Sequence, residues 1–178
     1  MSRRKVILYI ATSLDGYIAA PGGDLNFLGM VAKEGEDYGY AEFVKTVDTV
    51  IMGRKTYDSV LAMGYDYPHA DKESYIITRT VRPSIGNIRF YTGTLKELVL
   101  QLKAGPGKNI YCDGGAEVVN MLEQDDLIDE YIISVIPVML GGGTRLFANG
   151  RSEMALELIS SRSYPSGLVQ LHYSKHRK

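Results

Sequence analysis

The sequence predicts an α/β fold: a mostly parallel central sheet with helices on both faces and antiparallel strands at the C-terminal end. Short apolar runs alternate with helical periods along the chain, which is the pattern of a parallel sheet covered by helices. The first run, Lys5–Ala11, is almost continuously apolar, as is typical of a strand buried on both faces. The last runs, 156–163 and 168–175, are expected to close the sheet as an antiparallel pair.

After the first strand, turn-forming residues over 21–29 predict a loop. Apolar side chains that begin at Tyr40 repeat at i, i+3, i+4 and i+7. This spacing predicts a helix within 36–47 that buries one face. A short strand, Thr49–Met52, should follow.

The next helix begins after this strand and should end at Gly64, because glycine commonly terminates helices. We expect it to bury Tyr57, Val60 and Leu61. Strands are expected at 74–78 and 88–91.

In the second half of the chain, Thr94 and Glu97 form a capping-box pattern that predicts a helix start. That helix should end near Gly105. The remaining elements before the closing pair are expected to be a strand at 108–112, a helix at 116–123 and a long strand at 130–138.

Composition limits the classes of function. A chain of 178 residues predicts one domain over 1–178. Twenty Lys and Arg against 21 Asp and Glu give a net charge of −1, which predicts neither a nucleic-acid partner nor a membrane partner. A single cysteine and three histidines without ligand spacing predict no disulfide and no metal site. Because no apolar run is long enough for a leader or a membrane span, we expect a cytoplasmic protein.

Glycine, hydroxyl and basic residues follow three predicted strands, in Met52-Gly-Arg-Lys-Thr56, Thr78-Arg79-Thr80 and Asp113-Gly114-Gly115-Ala116. Ligands of parallel sheets bind at the carboxyl ends of the strands. Glycine lets a backbone approach an anion, and free amides at a helix start attract it. The pattern therefore predicts a site for an anionic nucleotide.

Two familiar phosphate-binding motifs are absent. Gly105-Pro-Gly-Lys-Asn109 lacks the upstream glycine and the hydroxyl residue of a P-loop. Gly141-Gly-Gly-Thr-Arg145 is not a GxGxxG fingerprint and does not open a βαβ unit. Kinase and Rossmann interpretations are therefore disfavoured.

Several segments together resemble a known family. They are Ser13-Leu-Asp-Gly-Tyr-Ile-Ala19, Ile51-Met-Gly-Arg-Lys-Thr-Tyr57, Ile110-Tyr-Cys-Asp-Gly-Gly-Ala116, Leu127-Ile-Asp-Glu-Tyr-Ile-Ile133 and Ile136-Pro-Val-Met-Leu-Gly141. In this order they are similar to the dihydrofolate-reductase-like superfamily. Within it, the chain most resembles the pyrimidine reductase domain of bacterial riboflavin biosynthesis.

The resemblance implies an NADPH-dependent reductase that acts on a small molecule. Two arginines, Arg54 and Arg79, favour NADPH over NADH because the additional 2′-phosphate requires fork-like donors. Asp113 takes the place of a substrate-contacting glutamate, and Phe27 that of an aromatic residue after the Ser-Leu-Asp-Gly loop. The cofactor-binding residues implied are Ala11, Gly53, Arg54, Lys55, Thr56, Thr78, Arg79, Gly114, Gly115, Ala116 and Glu117.

The chain also departs from these families. It has no Trp, whereas dihydrofolate reductases carry one in the loop after the first strand. Counting back from Met52 to the position of their proton-donating carboxylate gives Asp37, and short gaps move the match to Gly39 or towards Glu42. Asp37 is accordingly either a solvated acid at a helix start or a catalytic proton donor.

Two other carboxylates have alternative interpretations. Asp113 either caps the helix that starts at Ala116, contacts substrate as a catalytic group, or does both. Asp15 is either a turn residue beside Gly16 or a residue that orders a substrate-binding loop.

The expected activity is that of a 5-amino-6-(5-phosphoribosylamino)uracil reductase-like enzyme. Reduction of dihydrofolate or a pterin is the alternative, and an NADP-binding module without turnover is the alternative of a different class. A homodimer through the strands at 130–138 and 168–175 is also expected, because an open sheet edge and apolar residues from Val135 to Leu140 invite pairing.

Overall fold

The computed structural model describes residues 4–64 and 66–176. Short 3-10 turns, Pro21–Gly23 and Asn26–Val31, occupy most of the loop predicted at 21–29. The other elements in chain order are β1 (Val6–Ser13), β2 (Tyr17–Ala19), α1 (Tyr40–Lys45), β3 (Val47–Gly53), α2 (Arg54–Ala62), β4 (Glu73–Ile77), β5 (Ile88–Tyr91), α3 (Leu95–Ala104), β6 (Asn109–Gly114), α4 (Ala116–Gln124), β7 (Glu130–Ile136), β8 (Thr144–Arg145), β9 (Leu156–Ser163) and β10 (Val169–Lys175).

Eight strands form one sheet in the order β5-β4-β3-β6-β1-β7-β10-β9. The strands from β5 to β7 are parallel to their neighbours. Strand β10 runs antiparallel to both β7 and β9. Strands β2 and β8 form a separate two-stranded ribbon. The predicted fold class is therefore confirmed, including the antiparallel C-terminal strands.

Alternate residues of the central strands face opposite helical layers. Val6 and Leu8 of β1 lie in a core cluster with apolar residues of α3 and α4, and Cys112 of β6 belongs to the same cluster. Ile7 and Tyr111 lie in a second cluster with residues of α1 and α2. Because side chains alternate along a strand, Asp113, two residues after Tyr111, also faces the α1–α2 layer.

Several element predictions need correction. The helix predicted over 36–47 spans only Tyr40–Lys45, because Gly39 before it has a left-handed φ of 81°. The strand predicted to reach 138 ends at Ile136, where Pro137 removes a ladder donor. The closing strands begin and end within a residue of their predicted bounds.

Two details of the helices also differ from expectation. Leu61 is 43% exposed and Val60 is half-buried. Of the three residues expected to be buried, Tyr57 is the one that is, at 5% exposed, and it packs against Tyr67 and Phe90. Thr94 lies at the start of α3, but its side chain makes no capping hydrogen bond. The capping box is therefore not formed, and α3 is held by its apolar face instead.

A buried ion pair links α3 to the sheet. Lys103 Nζ lies 2.5 Å from a carboxylate oxygen of Asp129, and their side chains are 6% and 19% exposed. The same ammonium donates to the Leu127 carbonyl at 2.9 Å, and Asp129 accepts the Val6 amide at 2.8 Å. The pair therefore ties the helix to the start of β1.

Within residues 4–64 and 66–176, no helix is long and apolar enough to cross a membrane.

Candidate active site

The three strand ends singled out in the sequence lie side by side. In the register of the sheet, Met52 of β3 pairs with Gly114 of β6, and Gly53 pairs with Ile77 of β4. Strand β1 lies on the other side of β6. The carboxyl ends of four neighbouring parallel strands therefore form one continuous rim.

A hydrogen bond joins the first turn of α2, which follows β3 directly, to the turn after β6. The Gly115 amide donates to Thr56 Oγ1 at 2.9 Å. A Cβ atom on Gly115 would lie 3.2 Å from that oxygen, and one on Gly53 would lie 3.8 Å from the Gly115 nitrogen. Gly114 has a φ of 97°, which side chains disfavour, and the peptide bond after it is cis. A side chain at position 115 would therefore crowd Thr56, whereas one at position 53 would make ordinary contacts.

Both turns lead directly into helices whose first amides are available. Gly53 is the N-cap of α2 and Gly115 that of α4, and neither helix start has a side-chain cap among the described residues. The first amides of a helix lack partners within the helix and favour anions. The rim therefore presents two adjacent sets of backbone donors, as a pyrophosphate requires. Because Gly115 is the N-cap, Asp113 does not cap α4.

Basic side chains stand at the edge of this rim. Arg54 pairs with Asp58 on α2 at 2.5 Å, and Arg79 pairs with Glu117 of α4 at 3.2 Å. The Arg79 and Glu117 side chains are 95% and 68% exposed. Exposed pairs of this kind contribute little stability, so both guanidinium groups remain available to a phosphate.

The other residues expected at the cofactor also lie on this rim. Lys55 is exposed at the start of α2, and Thr78 is buried just after β4. The Thr78 hydroxyl accepts the Thr80 amide at 3.2 Å, which shapes the turn beside Arg79. Ala11 is half-buried near the end of β1 and pairs with Ser134 of β7.

Asp113 lies in a network of polar aromatic residues on the α1–α2 side of the rim. Tyr111 donates its hydroxyl to Asp113 Oδ1 at 2.6 Å. The other carboxylate oxygen lies 3.6 Å from Nε2 of His69, which is also 3.5 Å from the Tyr40 hydroxyl. The Asp113 side chain is 22% exposed. It is therefore accessible at the rim while Tyr111 and His69 contact its buried side.

Burial determines which groups of this network can exchange protons. Burial raises the pKa of Tyr111 well above its ordinary value, and the Asp113 charge adds to this. The same two causes raise the pKa of Tyr40. Both hydroxyls therefore stay protonated at neutral pH and act as hydrogen-bond donors.

Sequence reasoning missed most of this network. Tyr111 belongs to no recognisable catalytic motif, although its position two before Asp113 places both on one face of β6. His69 lies in the irregular segment between α2 and β4, where no periodic pattern identifies a site residue.

Asp15 holds two loops of the cleft together. Its carboxylate accepts the Ser13 hydroxyl at 2.6 Å and the amides of Leu140 and Gly141 at 3.0 and 2.7 Å. These bonds, led by that from Ser13, lower its pKa to about 2. Asp15 therefore forms the turn expected of it and also orders the loop after β7.

The other two candidates occupy different surroundings. Asp37 is exposed, and its carboxylate accepts the Ala41 and Gly39 amides, both at 2.9 Å. These bonds lower the pKa of Asp37. They match the first alternative for this residue, a solvated acid at a helix start. Phe27 is 7% exposed and packs in an apolar cluster with Val31, Ile136 and Leu168.

This arrangement of sheet, helices and glycine-lined rim is the dihydrofolate-reductase-like fold. The family model described as the RibD C-terminal domain matches residues 4–170, and the chain belongs to that family.

Relatives similar along their whole length include two proteins of Bacillus subtilis. The protein named uncharacterized protein YwjB is 42% identical over 171 residues, with 96% of this chain and 97% of the relative covered. Uncharacterized protein YyaP is 30% identical, with 97% of this chain and 96% of the relative covered.

Solved structures agree with this assignment. A putative riboflavin biosynthesis protein of Shewanella sp. PV-4 superposes with a TM-score of 0.88 at 32% identity, covering 97% of this chain and 99% of that one. The diaminohydroxyphosphoribosylaminopyrimidine deaminase/5-amino-6-(5-phosphoribosylamino)uracil reductase of Thermotoga maritima has the same fold, with a TM-score of 0.74 at 13% identity. This chain covers 57% of that protein and is itself covered to 98%.

Proposed function

We propose that the chain is an NADPH-dependent reductase of a small heterocyclic molecule of the ribosylaminopyrimidine class. The observation that carries the proposal is the contact between the two glycine turns, where Thr56 holds the Gly115 amide at 2.9 Å. This contact places the starts of α2 and α4 together at the rim. Membership of the RibD C-terminal family supports the reaction type.

The donor set of the rim fits a phosphorylated dinucleotide. The amides that follow Gly53 and Gly115 would hold the pyrophosphate, since glycine allows its close approach. Arg79 and Arg54 would bind the 2′-phosphate as fork-like donors. Ala11, near the end of β1, would contact the nicotinamide end. When bound, this cofactor supplies the hydride, and the protein supplies orientation and a site shielded from water.

Asp113 is the residue we assign to the substrate. It is the partly exposed carboxylate of the network on the α1–α2 side, and a protonated carboxyl at this point can donate to a reacting nitrogen or oxygen. The Asp37 carboxylate already accepts two backbone amides at the start of α1. We therefore assign the proton-donor role to Asp113. Asp15 and Phe27 would shape the substrate side by holding the loops around it.

Turnover and binding measurements test the proposal separately. Calorimetric titration should show saturable NADPH binding that is tighter than NADH binding. Oxidation of NADPH, followed by absorbance, should then be stimulated by an aminopyrimidine ribotide more than by dihydrofolate. Stimulation by dihydrofolate alone would favour the folate alternative, binding without turnover would favour a binding module, and absence of NADPH binding would refute the proposal.

We also propose a homodimer and a cytoplasmic location. The strands at 130–138 and 168–175 do not form the open edge expected from the sequence, because β7 and β10 each have a strand on both sides. Strand β9 lies at the edge of the described sheet instead, and all 8 of its residues are exposed. Leu158 and Ile159 are 54% and 49% exposed, which favours pairing with a second copy. The one cysteine, Cys112, is buried and free, in keeping with a reducing compartment.

A further inference from the structure

A buried histidine lies next to the Asp113 carboxylate and has no part in the cofactor rim. His69 is 2% exposed, and its Nε2 atom is 3.6 Å from Asp113 Oδ2. Its Nδ1 atom is buried with no hydrogen-bond partner among the described residues. Polar contact with the ring therefore runs through Nε2, towards Asp113 and the Tyr40 hydroxyl.

Aromatic packing fixes the direction in which the imidazole points. The ring meets Tyr111 edge-on, with centroids 5.6 Å apart and planes at 88°. Tyr67 meets it in the same way at 5.5 Å and 82°. Turning the ring away from Asp113 would require repacking of the buried cluster under α1 and α2, because such interiors are close-packed.

Few groups in this environment can change their protonation near neutral pH. Burial raises the pKa of Tyr67 to about 12, and Tyr111 and Tyr40 are raised as well. Asp71 is exposed and paired with Lys72 at 2.8 Å, so its charge is compensated separately. The titratable groups that face His69 are Asp113 and Tyr111 from β6, Tyr40 from α1, and Tyr67 and Asp71 from its own segment.

We propose that His69 is a positioning residue that shares one proton with Asp113 and supplies it for donation. The inference rests on the proposed reductase function, in which a bound dinucleotide would supply the hydride. The pair holds its proton on Nε2 of the His69 imidazolium. The Nε2–H bond breaks as the Asp113 O–H bond forms, and that O–H bond breaks as the substrate heteroatom gains the proton. Neutral imidazole and an ionised carboxylate remain until solvent returns a proton.

The separation of Asp113 and His69 leaves room for the pair to shorten into a hydrogen bond. A separation of 3.6 Å is longer than a formed hydrogen bond. Acid–base pairs are often this long before substrate binds and shorten in the complex. The Tyr111 hydroxyl, at 2.6 Å from the other oxygen, holds the carboxylate so that Oδ2 remains directed at His69.

The first test needs no substrate. Ring signals of the histidines are followed by NMR against pH in the ligand-free chain and in Asp113→Asn. If the pair shares a proton, the midpoint of the His69 titration falls by at least about one pH unit in Asp113→Asn, since an acidic partner favours the charged imidazole. The control is Glu130→Gln, which removes the carboxylate 3.0 Å from His172 and should move only the His172 signals. An unchanged His69 midpoint in Asp113→Asn overturns the proposal.

The second test separates proton supply from structural support. His69→Gln keeps an N–H group towards Asp113 but cannot pass on a proton. We expect kcat to fall by about 10- to 100-fold, within the range for general acid–base groups, with KM changed by less than about threefold. The pH dependence of kcat should also lose the limb that the shared proton produces in the unmodified chain. Full kcat in His69→Gln would show that the residue is only structural.

The two tests distinguish the inference from the function on which it rests. If no substrate is turned over by the unmodified chain, the reductase proposal fails, while the NMR titration still decides whether His69 and Asp113 share a proton. If turnover is found and the NMR midpoint does not move, the reductase proposal stands and the proton-sharing proposal is refuted.

Discussion

Thr56 and Gly115 are 59 residues apart in the chain, yet the Thr56 hydroxyl accepts the Gly115 amide at 2.9 Å. The bond ties the start of α2 to the turn before α4. Since both helix starts lack side-chain caps among the described residues, their free amides are held in a fixed relation. A ligand with two linked phosphates would bind more tightly to this arrangement, because its binding free energy would not be spent on ordering the donors.

Removing this hydroxyl should weaken cofactor binding. Thr56→Val keeps the volume of the side chain but leaves the Gly115 amide without its acceptor. We expect the Kd for NADPH to rise by about 5- to 10-fold, the effect of one hydrogen bond, as measured by calorimetric titration. Thr56→Ser should bind normally. Ser59→Ala, which removes an exposed hydroxyl bonded to the Lys55 carbonyl, is the control. Equal affinities in Thr56→Val and the unmodified chain would contradict the assignment.

Arg79 and Glu117 should affect NADPH and NADH differently. Arg79→Ala should weaken NADPH binding by about 10- to 100-fold, the value of a charged hydrogen bond, and leave NADH nearly unchanged. Glu117→Gln frees Arg79 from its pair at 3.2 Å and should tighten NADPH binding by about threefold, as for an exposed ion pair. Competition titrations with both cofactors measure this selectivity. Parallel losses for NADPH and NADH in Arg79→Ala would place the 2′-phosphate elsewhere.

The rim could be predicted because it depends on local sequence. Glycines after β3 and β6 signal close approaches, and parallel strands end at the same edge of a sheet. Their adjacency follows from the pairing of Met52 with Gly114, which no local pattern reveals. The sequence therefore predicts an anion site at these strand ends, whereas the contact between Thr56 and Gly115 is seen only in the structure.

The acid network illustrates what local patterns omit. Tyr111 and Asp113 are two residues apart on one strand, so the period of a strand already implies that they share a face. His69 comes from an irregular segment and reaches Asp113 only through tertiary packing. The helix predicted over 36–47 failed for a related reason: the left-handed conformation of Gly39 outweighs the apolar periodicity around it.

Breaking the buried pair of Lys103 and Asp129 should destabilise the fold. Lys103→Met removes the buried ammonium that pairs with the Asp129 carboxylate, whose side chain is 19% exposed. We expect the free energy of unfolding to fall by about 3 kcal/mol, the lower end for a broken buried pair, because Asp129 keeps the Val6 amide. Urea denaturation measures the loss. Lys96→Met removes an exposed pair with Asp125, where the side chains are 51% and 36% exposed, and should cost less than about 0.5 kcal/mol. Similar losses in both variants would refute the role of burial.

Glu130 should contribute to stability above its ordinary pKa and lose that contribution in acid. The bond from His172 at 3.0 Å, followed by that from Lys5 at 2.6 Å, lowers the pKa of Glu130 from 4.5 to about 2. A carboxyl whose pKa is lowered in the folded chain stabilises the fold at any pH where it is ionised in both the folded and the unfolded chain. As the pH falls, the unfolded chain binds the proton first, and the stabilisation is lost. It should therefore be complete above about pH 5 and disappear towards about pH 2.

Glu130→Gln should accordingly lower the melting temperature at pH 7 and show a smaller further decrease between pH 5 and pH 2. Thermal unfolding followed by circular dichroism across this range measures both effects. Glu42→Gln is the control, because Glu42 is 78% exposed in its pair with Lys45. A pH dependence in Glu130→Gln as steep as that of the unmodified chain would show that other carboxyls dominate acid unfolding.

The exposed edge of the sheet should mediate dimerisation. Strand β9 leaves one row of backbone groups without a strand neighbour in the described sheet, and Leu158 and Ile159 are 54% and 49% exposed. Pairing of two such edges would satisfy the backbone groups and remove apolar surface from water. Light scattering at micromolar concentration should give a mass about twice that of the 19.7 kDa chain, in keeping with a two-fold dimer. Leu158→Lys should reduce it to the mass of one chain, because pairing would bury a charge on the edge strand. Leu100→Lys, at a position 42% exposed on α3, should leave the dimer intact. A mass of one chain for the unmodified protein, unchanged on concentration, would refute the dimer.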